Sequence, residues 1–238
     1  DGLINPGTGV RTDLDDAQLM TLGLQFVQLN RAADLDGDAD VDANDEAIYD
    51  ALKPASEVGS PVLPGFFVGI PGSVGFEVDS GKLALAIIKA NPDPAKSADV
   101  ARTYTAILAS VRGARLVGLP DGLEFEAIRL DFASSGSSLS TSLVPVGLNW
   151  TTAVDLQSAS ATFVADSILI GGDVIGLTSG DAGISVGGAI KINIFGYVLA
   201  AGGFEFDQLS GLNGSDGTIS VSGATGQRLS LTGLQLFV

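Results

Sequence analysis

The chain has 238 residues, room for one large domain or two small ones, and 28 acidic against 12 basic side chains give it a formal charge of −16. It holds neither Cys nor His, which excludes disulfides, thiolate zinc, iron–sulfur clusters, cysteine nucleophiles, serine–histidine triads and imidazole metal centres. So strong a negative charge also opposes phosphate-backbone binding, and no nucleic-acid partner is expected.

Residues 1–60 hold 13 acidic and 3 basic side chains, so the excess charge concentrates in the first quarter of the chain and points to two segments with different roles. From Asp13 to Arg31 the apolar residues Leu22, Phe26 and Leu29 keep helical spacing, widened by Leu24 and Val27, and predict a helix. Residues 34 to 45 then place carboxylates at Asp34, Asp36, Asp38, Asp40, Asp42 and Asp45. With Asp34 as position one, carboxylates fall at one, three, five, nine and twelve. On a tightly curled backbone such alternate side chains converge on one hard cation, and six carboxylates in twelve residues repel one another unless a cation neutralises them. Calcium is the expected ion, because magnesium demands stricter octahedral geometry. Asp40 at position seven would offer its backbone carbonyl, and Val41 at position eight would point into the core. Asp45 would open a helix running to Leu52 or Lys53, with Asp45 and Glu46 favoured by its dipole.

This loop resembles the EF-hand and, more closely, one half of a dockerin: a calcium loop followed by an exiting helix, without an entering helix. Two positions depart from the EF-hand pattern. Position six is Ala39 where a sharp turn favours Gly, and position twelve is Asp45 in place of Glu, as in dockerins. Asp16-Ala17-Gln18-Leu19-Met20 echoes Asp45-Glu46-Ala47-Ile48-Tyr49 as a degenerate first half. Asn5-Pro6-Gly7-Thr8 before it lacks acidic ligands, so a second metal is not expected there. The resemblance implies a cohesin-type partner docking on the helix Ala47–Lys53.

Breakers and small polar residues between Lys53 and Gly65 read as a linker. They divide a helical calcium-binding subdomain at 1–58 from a β-rich domain at 62–238. In the second segment short apolar runs are punctuated by Gly every eight to twelve residues, as in all-β domains. Strands are expected at Lys82–Ala90, Tyr104–Val111, Glu124–Phe132, Ala159–Ile170, Ile184–Leu199 and Leu229–Val238, with a turn or short helix at Pro92–Asp99. Phe67–Val78 aligns without gaps to Leu116–Ala127, and Gly203-Phe204-Glu205-Phe206-Asp207 repeats part of the phrase. The Gly-x-Pro unit would turn the chain, and Phe-Glu would begin a strand with Phe inward and Glu outward. These phrases, with the closing Leu229-Ser-Leu-Thr-Gly-Leu-Gln-Leu-Phe237-Val, resemble modules repeated in giant bacterial surface proteins. That resemblance covers about residues 100–238 and, more weakly, 60–90; it implies a secreted, elongated, structural or adhesive protein and brings no catalytic residues. A chain that opens at Asp1 and ends on a strand-like run is expected to be part of a longer, exported protein. No apolar run is long enough for a transmembrane helix.

Gly183-Ile-Ser185-Val-Gly187 matches the nucleophile elbow of α/β-hydrolases, but no His exists to activate Ser185. Glu77, Glu126 and Glu205 occupy repeat phrases and Asp155, Asp166 and Asp181 are isolated, so no catalytic carboxylate pair stands out. The sequence therefore predicts a mainly β, elongated antiparallel β-repeat domain, sandwich-like or solenoid-like, with a small N-terminal α-helical calcium-binding subdomain. The expected role is an extracellular structural or adhesive segment of a bacterial surface or filament protein, self-assembling or joined to neighbouring modules. A cohesin-docking module is the rival reading, and a polysaccharide-processing enzyme a distant third.

Overall fold

A computed structural model describes residues 17–30, 36, 38–52, 62–70, 73–91, 102–138, 147–156, 164–178 and 181–238. The chain is mainly β, as its composition predicts. Among the described residues one helix, α1 (Ala43–Leu52), stands among strands β1 (Gln18–Phe26), β2 (Leu29–Asn30), β3 (Val62–Leu63), β4 (Phe66–Gly69), β5 (Gly75–Lys89), β6 (Thr103–Val117) and β7 (Leu123–Ser137). Then come β8 (Leu169–Ile170), β9 (Asp173–Val174), β10 (Gly183–Ile194), β11 (Val198–Ser215) and β12 (Ser220–Phe237). Eight strands form one antiparallel sheet in the order β1-β5-β6-β7-β10-β11-β12, with β4 also paired to β5. From β5 onward the sheet is a meander, each strand hydrogen-bonded to the next one in its path. The expected turn or helix at Pro92–Asp99 lies outside the described residues. Of the strand expected at Ala159–Ile170, only Leu169–Ile170 is a described strand.

The expected helix between Asp13 and Arg31 is corrected. Residues 18–26 are β1, paired with β5 from Gln18↔Lys89 to Phe26↔Gly81. Met20, Leu22, Leu24 and Phe26 alternate strictly, and that period of two, answered by a partner strand, outweighs the helical spacing of Leu22, Phe26 and Leu29. The N-terminal segment thus contributes a strand to the sheet of the β-rich segment.

Both long repeat phrases fold as hairpins. Phe67–Val78 runs from β4 through a turn into β5, and Leu116–Ala127 from β6 through a turn into β7. The two hairpins lie side by side, because β5 pairs β6. Their turns abut: Gly118 has φ 73°, and a Cβ there would overlap the Ser73 carbonyl. Only Gly meets both demands.

The two faces of the sheet differ in chemistry. Registers align Lys82, Ser110, Asp131, Gly187 and Glu205 in one cross-strand row, and Ala84, Leu108, Ala133, Ser185, Asp207 and Arg228 in the next. The opposite face carries Leu85, Ile107, Ser134 and Ile184 in one row and Leu83, Ala109, Phe132, Val186, Phe206 and Leu229 in another. Near Gly113 (φ 61°) the pleat is irregular, and β7 carries one extra residue, Ile128, opposite the Ala189–Ile190 step of β10. Beyond that irregularity Ile190 and Ile192 share a hollow with Phe204 and Leu231, so the apolar face continues to the hairpin end.

The buried core sits at one end of the polar face. There the long connection between β7 and β10 folds back, setting Leu148, Trp150, Val154, Ile168, Ile170 and Ile175 on Ala84, Ala86, Ile88, Tyr104 and Ala106. Small residues on the strands let the connection lie close: a Cβ on Gly23 would press the Ile170 side chain. Trp150 is wholly buried, donates its indole N–H to Ser135 Oγ at 3.2 Å, and holds Leu177 O through its backbone N–H at 2.9 Å. Asp155, Asp166 and Asp181 knit this connection. Their carboxylates accept the backbone N–H of Val164 (3.0 Å), Leu156 (2.8 Å) and Thr178 (2.7 Å).

Candidate metal centre

The acidic loop enters α1 through reciprocal capping. Asp42 Oδ1 accepts the N–H of Asn44 at 2.7 Å, while Asp45 Oδ2 accepts the N–H of Asp42 at 2.7 Å. This is a capping box with Asp at both positions, and it satisfies two of the donors that a helix start leaves open. The first turn therefore begins at Ala43, two residues before the expected start. Glu46 N–H closes it on Asp42 O at 3.3 Å.

Asp45 also accepts the N–H of Asp36 through Oδ1 at 3.1 Å. It is wholly buried, so one carboxylate ties the two ends of the described loop together. Asp36 Oδ1 accepts from Asp38 N–H at 3.2 Å, Asp38 Oδ1 from Asp40 N–H at 2.9 Å, and Asp40 Oδ1 from Val41 N–H at 2.8 Å. This run of side-chain-to-backbone turns is how Asp competes with regular structure. Ala39, at loop position six, has φ 72°. The loop thus takes the left-handed turn for which that position favours Gly, and takes it with Ala.

Of the six predicted ligands, Asp34 lies outside the described residues. Asp36, Asp38, Asp40 and Asp42 line an exposed curl, and Asp45 stands inside it. Among the described residues no three carboxylates converge closely enough to cage an ion. An ionised carboxylate has about four lone-pair sites, so accepting one or two backbone N–H groups leaves coordination chemically open, and the donor set suits a hard cation. Val41 is 52% exposed, contrary to the expected core position. No strand among the described residues pairs alongside it.

Sequence reasoning missed the second constellation, the polar face of the sheet. Arg115 on β6 binds Glu77 at 2.9 Å and Asp79 at 2.7 Å on β5. Burial works against the Arg115 cation, but the hydrogen bond and charge of Asp79, with those of Glu77, outweigh it and raise its pKa. Asp131 binds Arg112 at 2.8 Å and Arg129 at 3.1 Å, Lys191 binds Glu124 at 3.2 Å, and Lys82 reaches Asp173 of β9 at 3.4 Å. Asp207 accepts the Ser185 hydroxyl at 2.8 Å and Arg228 at 2.6 Å. Those contacts, Ser185 first and Arg228 second, hold its carboxyl below the usual range. Ser185 is therefore a strand residue in a cross-strand bond, with no elbow around it. A cleft of about 720 Å³ lies on this face between Lys82, Asp131, Asp173 and Glu205. Opposite charges recur at register-paired positions, a signal visible only once the strand order is known. No family model, curated protein or solved structure matches the chain.

Proposed function

We propose that this chain is a calcium-stabilised structural or adhesive segment of an extracellular bacterial surface or filament protein. It would serve as an assembly unit, with no catalytic centre of its own. The observation that carries the reading is the loop at 36–45. Its carboxylate spacing is that of a calcium loop, its sixth position takes the left-handed turn, and a buried Asp at its twelfth position ties it to the exiting helix. Asp34, Asp36, Asp38, Asp42 and Asp45 would supply carboxylate oxygens and Asp40 its backbone carbonyl. The ion would neutralise a cluster that otherwise repels itself, so its binding energy would become folding energy. A long antiparallel sheet whose outer strands β1 and β12 each pair on one side alone among the described residues suits a load-bearing or assembling role, and cross-strand ion pairs keep one face polar.

Thermal unfolding with calcium and with EGTA tests this. Calcium at about 100 times its dissociation constant adds about 2.7 kcal/mol, so the midpoint of the transition that includes α1 is expected to fall by several degrees on chelation. An unchanged midpoint, with no heat of calcium binding by calorimetry, would sink the reading.

A further inference from the structure

The apolar face of the sheet is the largest feature without an assigned role. Ion pairs crowd the other face, whereas this one presents Met20, Leu22 and Leu24 at one edge and Leu229, Leu231 and Leu234 at the other, each more than half exposed. Seven strands in the path, spaced ~4.8 Å apart and about ten residues long at ~3.3 Å each, give a face on the order of 1,000 Å². The largest patch on an ordinary monomer is about 300–600 Å², while a stable interface takes about 800 Å² from each partner. This face is too large to be left wet and large enough to hold a dimer.

Hydrocarbon is a poor occupant. Among the described residues β12 pairs with β11 alone, which leaves one side of an 18-residue strand with unpaired backbone donors and acceptors. Lipid cannot satisfy such an open edge, but water can. The occupant must cover the face and leave the edges wet, as a second sheet does. A second copy has the same hand of twist, and two such sheets stack about 10 Å apart with strands near −30°. The relief is also self-complementary. Leu231 and Leu234 project from β12, at 61% and 68% exposed. A hollow of about 240 Å³ lies between Phe76, Leu116, Phe125, Ile190 and Ile192. Under a two-fold axis each copy offers both the knob and the hollow.

We infer that the apolar face packs against the same face of a second copy, making a two-layer β-sandwich with the ion-paired faces outward. This deepens the assembly reading above, on which it rests, by naming the partner and the surface. The chain has no Cys, so one introduced thiol is unique. Ser134, between Ile107 and Ile184 on the apolar face, and Ser230, opposite Glu205 on the polar face, are the sites. Ser134→Cys is expected to give a covalent dimer with a short bismaleimide, and Ser230→Cys to stay monomeric. Sedimentation of the unmodified 238-residue chain is expected to show twice the monomer mass. Leu231→Glu with Leu234→Glu is expected to weaken the dimer at least about tenfold, while Thr232→Glu leaves it intact. A monomer at about 100 µM, where a ~10 µM dimer would be largely formed, overturns the proposal. So do equal cross-linking at both thiols and flotation of the monomer with phosphatidylcholine vesicles. Runs in calcium and in EGTA separate the two readings. A dimer whose unfolding midpoint ignores calcium sinks only the metal claim, and a calcium-stabilised monomer sinks only this one.

Discussion

At the residue scale the loop turns on Ala39 and Asp45. A left-handed φ costs Ala roughly 1 kcal/mol that Gly does not pay. At φ 72° Ala39 carries that strain in the folded state. Ala39→Gly is therefore expected to stabilise the loop, less the entropy that Gly adds to the unfolded chain, for a net gain of a few tenths to about 1 kcal/mol. On the calcium reading it also tightens the ion. Calorimetric calcium titration of the two chains checks both signs together, and a weaker affinity in the variant would contradict the assignment of Ala39 to position six. The spacing of the carboxylates was fully legible, because an acidic loop is a local object. What spacing could not reveal was the second duty of Asp42 and Asp45. Their capping box depends on where the backbone becomes helical, which the carboxylates themselves help to decide. Val41 shows the other limit. Its burial requires a neighbouring strand, and no local pattern supplies one.

At the element scale the β reading succeeded at the two repeat phrases and failed at Ile184–Leu199, which a turn at Gly196 (φ 72°) breaks into β10 and β11. The repeat phrases marked two hairpins, and the abutment of Gly118 on Ser73 shows why the glycine recurs there. The expected pattern of Phe inward and Glu outward fails at the first hairpin. Phe76 is 39% exposed, and the Glu77 side chain, drawn onto Arg115, only 16%. Among the described residues the buried core packs on the other face, which removes the inside that the pattern assumed. The segment 18–26 was misread because its apolar residues satisfy both periods in part, and the deciding term, pairing to β5, lies more than fifty residues away. The connection from β7 to β10 was nearly silent in sequence apart from Trp150. That residue is its anchor, wholly buried on Ala-rich strands with its indole bonded to Ser135. Trp150→Ala is expected to cost about 3–5 kcal/mol through lost burial and the cavity left behind. Trp150→Phe keeps much of the contact but strips the Ser135 hydroxyl of its donor, costing about 1–3 kcal/mol. Urea denaturation of both variants checks the order; equal losses would mean that the bulk retained by Phe contributes nothing and that the indole hydrogen bond carries the anchor.

At the scale of the whole molecule, charge and hydrophobicity are sorted onto opposite faces of one sheet. The net charge of −16 opposes any close association through self-repulsion, so the apolar face must outweigh it, and cations bound at the acidic loop would ease it. The polar face answers the same problem locally, by pairing charges across neighbouring strands. Its pH response follows from Asp207. The Ser185 hydroxyl and the Arg228 guanidinium depress the pKa of this carboxyl in the folded state, while the unfolded chain returns it to about 3.9. A depressed carboxylate contributes stability that is fully present above the unfolded value and is lost as pH falls through the folded one. Below that point both states are protonated and the contribution is gone. Asp207→Asn is thus expected to melt lower than the parent chain at pH 7 and to converge with it as the pH falls through the depressed folded value. Melting curves taken stepwise from neutral to strongly acid buffer would show the gap closing. A gap of constant size across that range would mean that Asp207 acts by shape and hydrogen bonding alone, and that its charge on β11 is incidental to the fold.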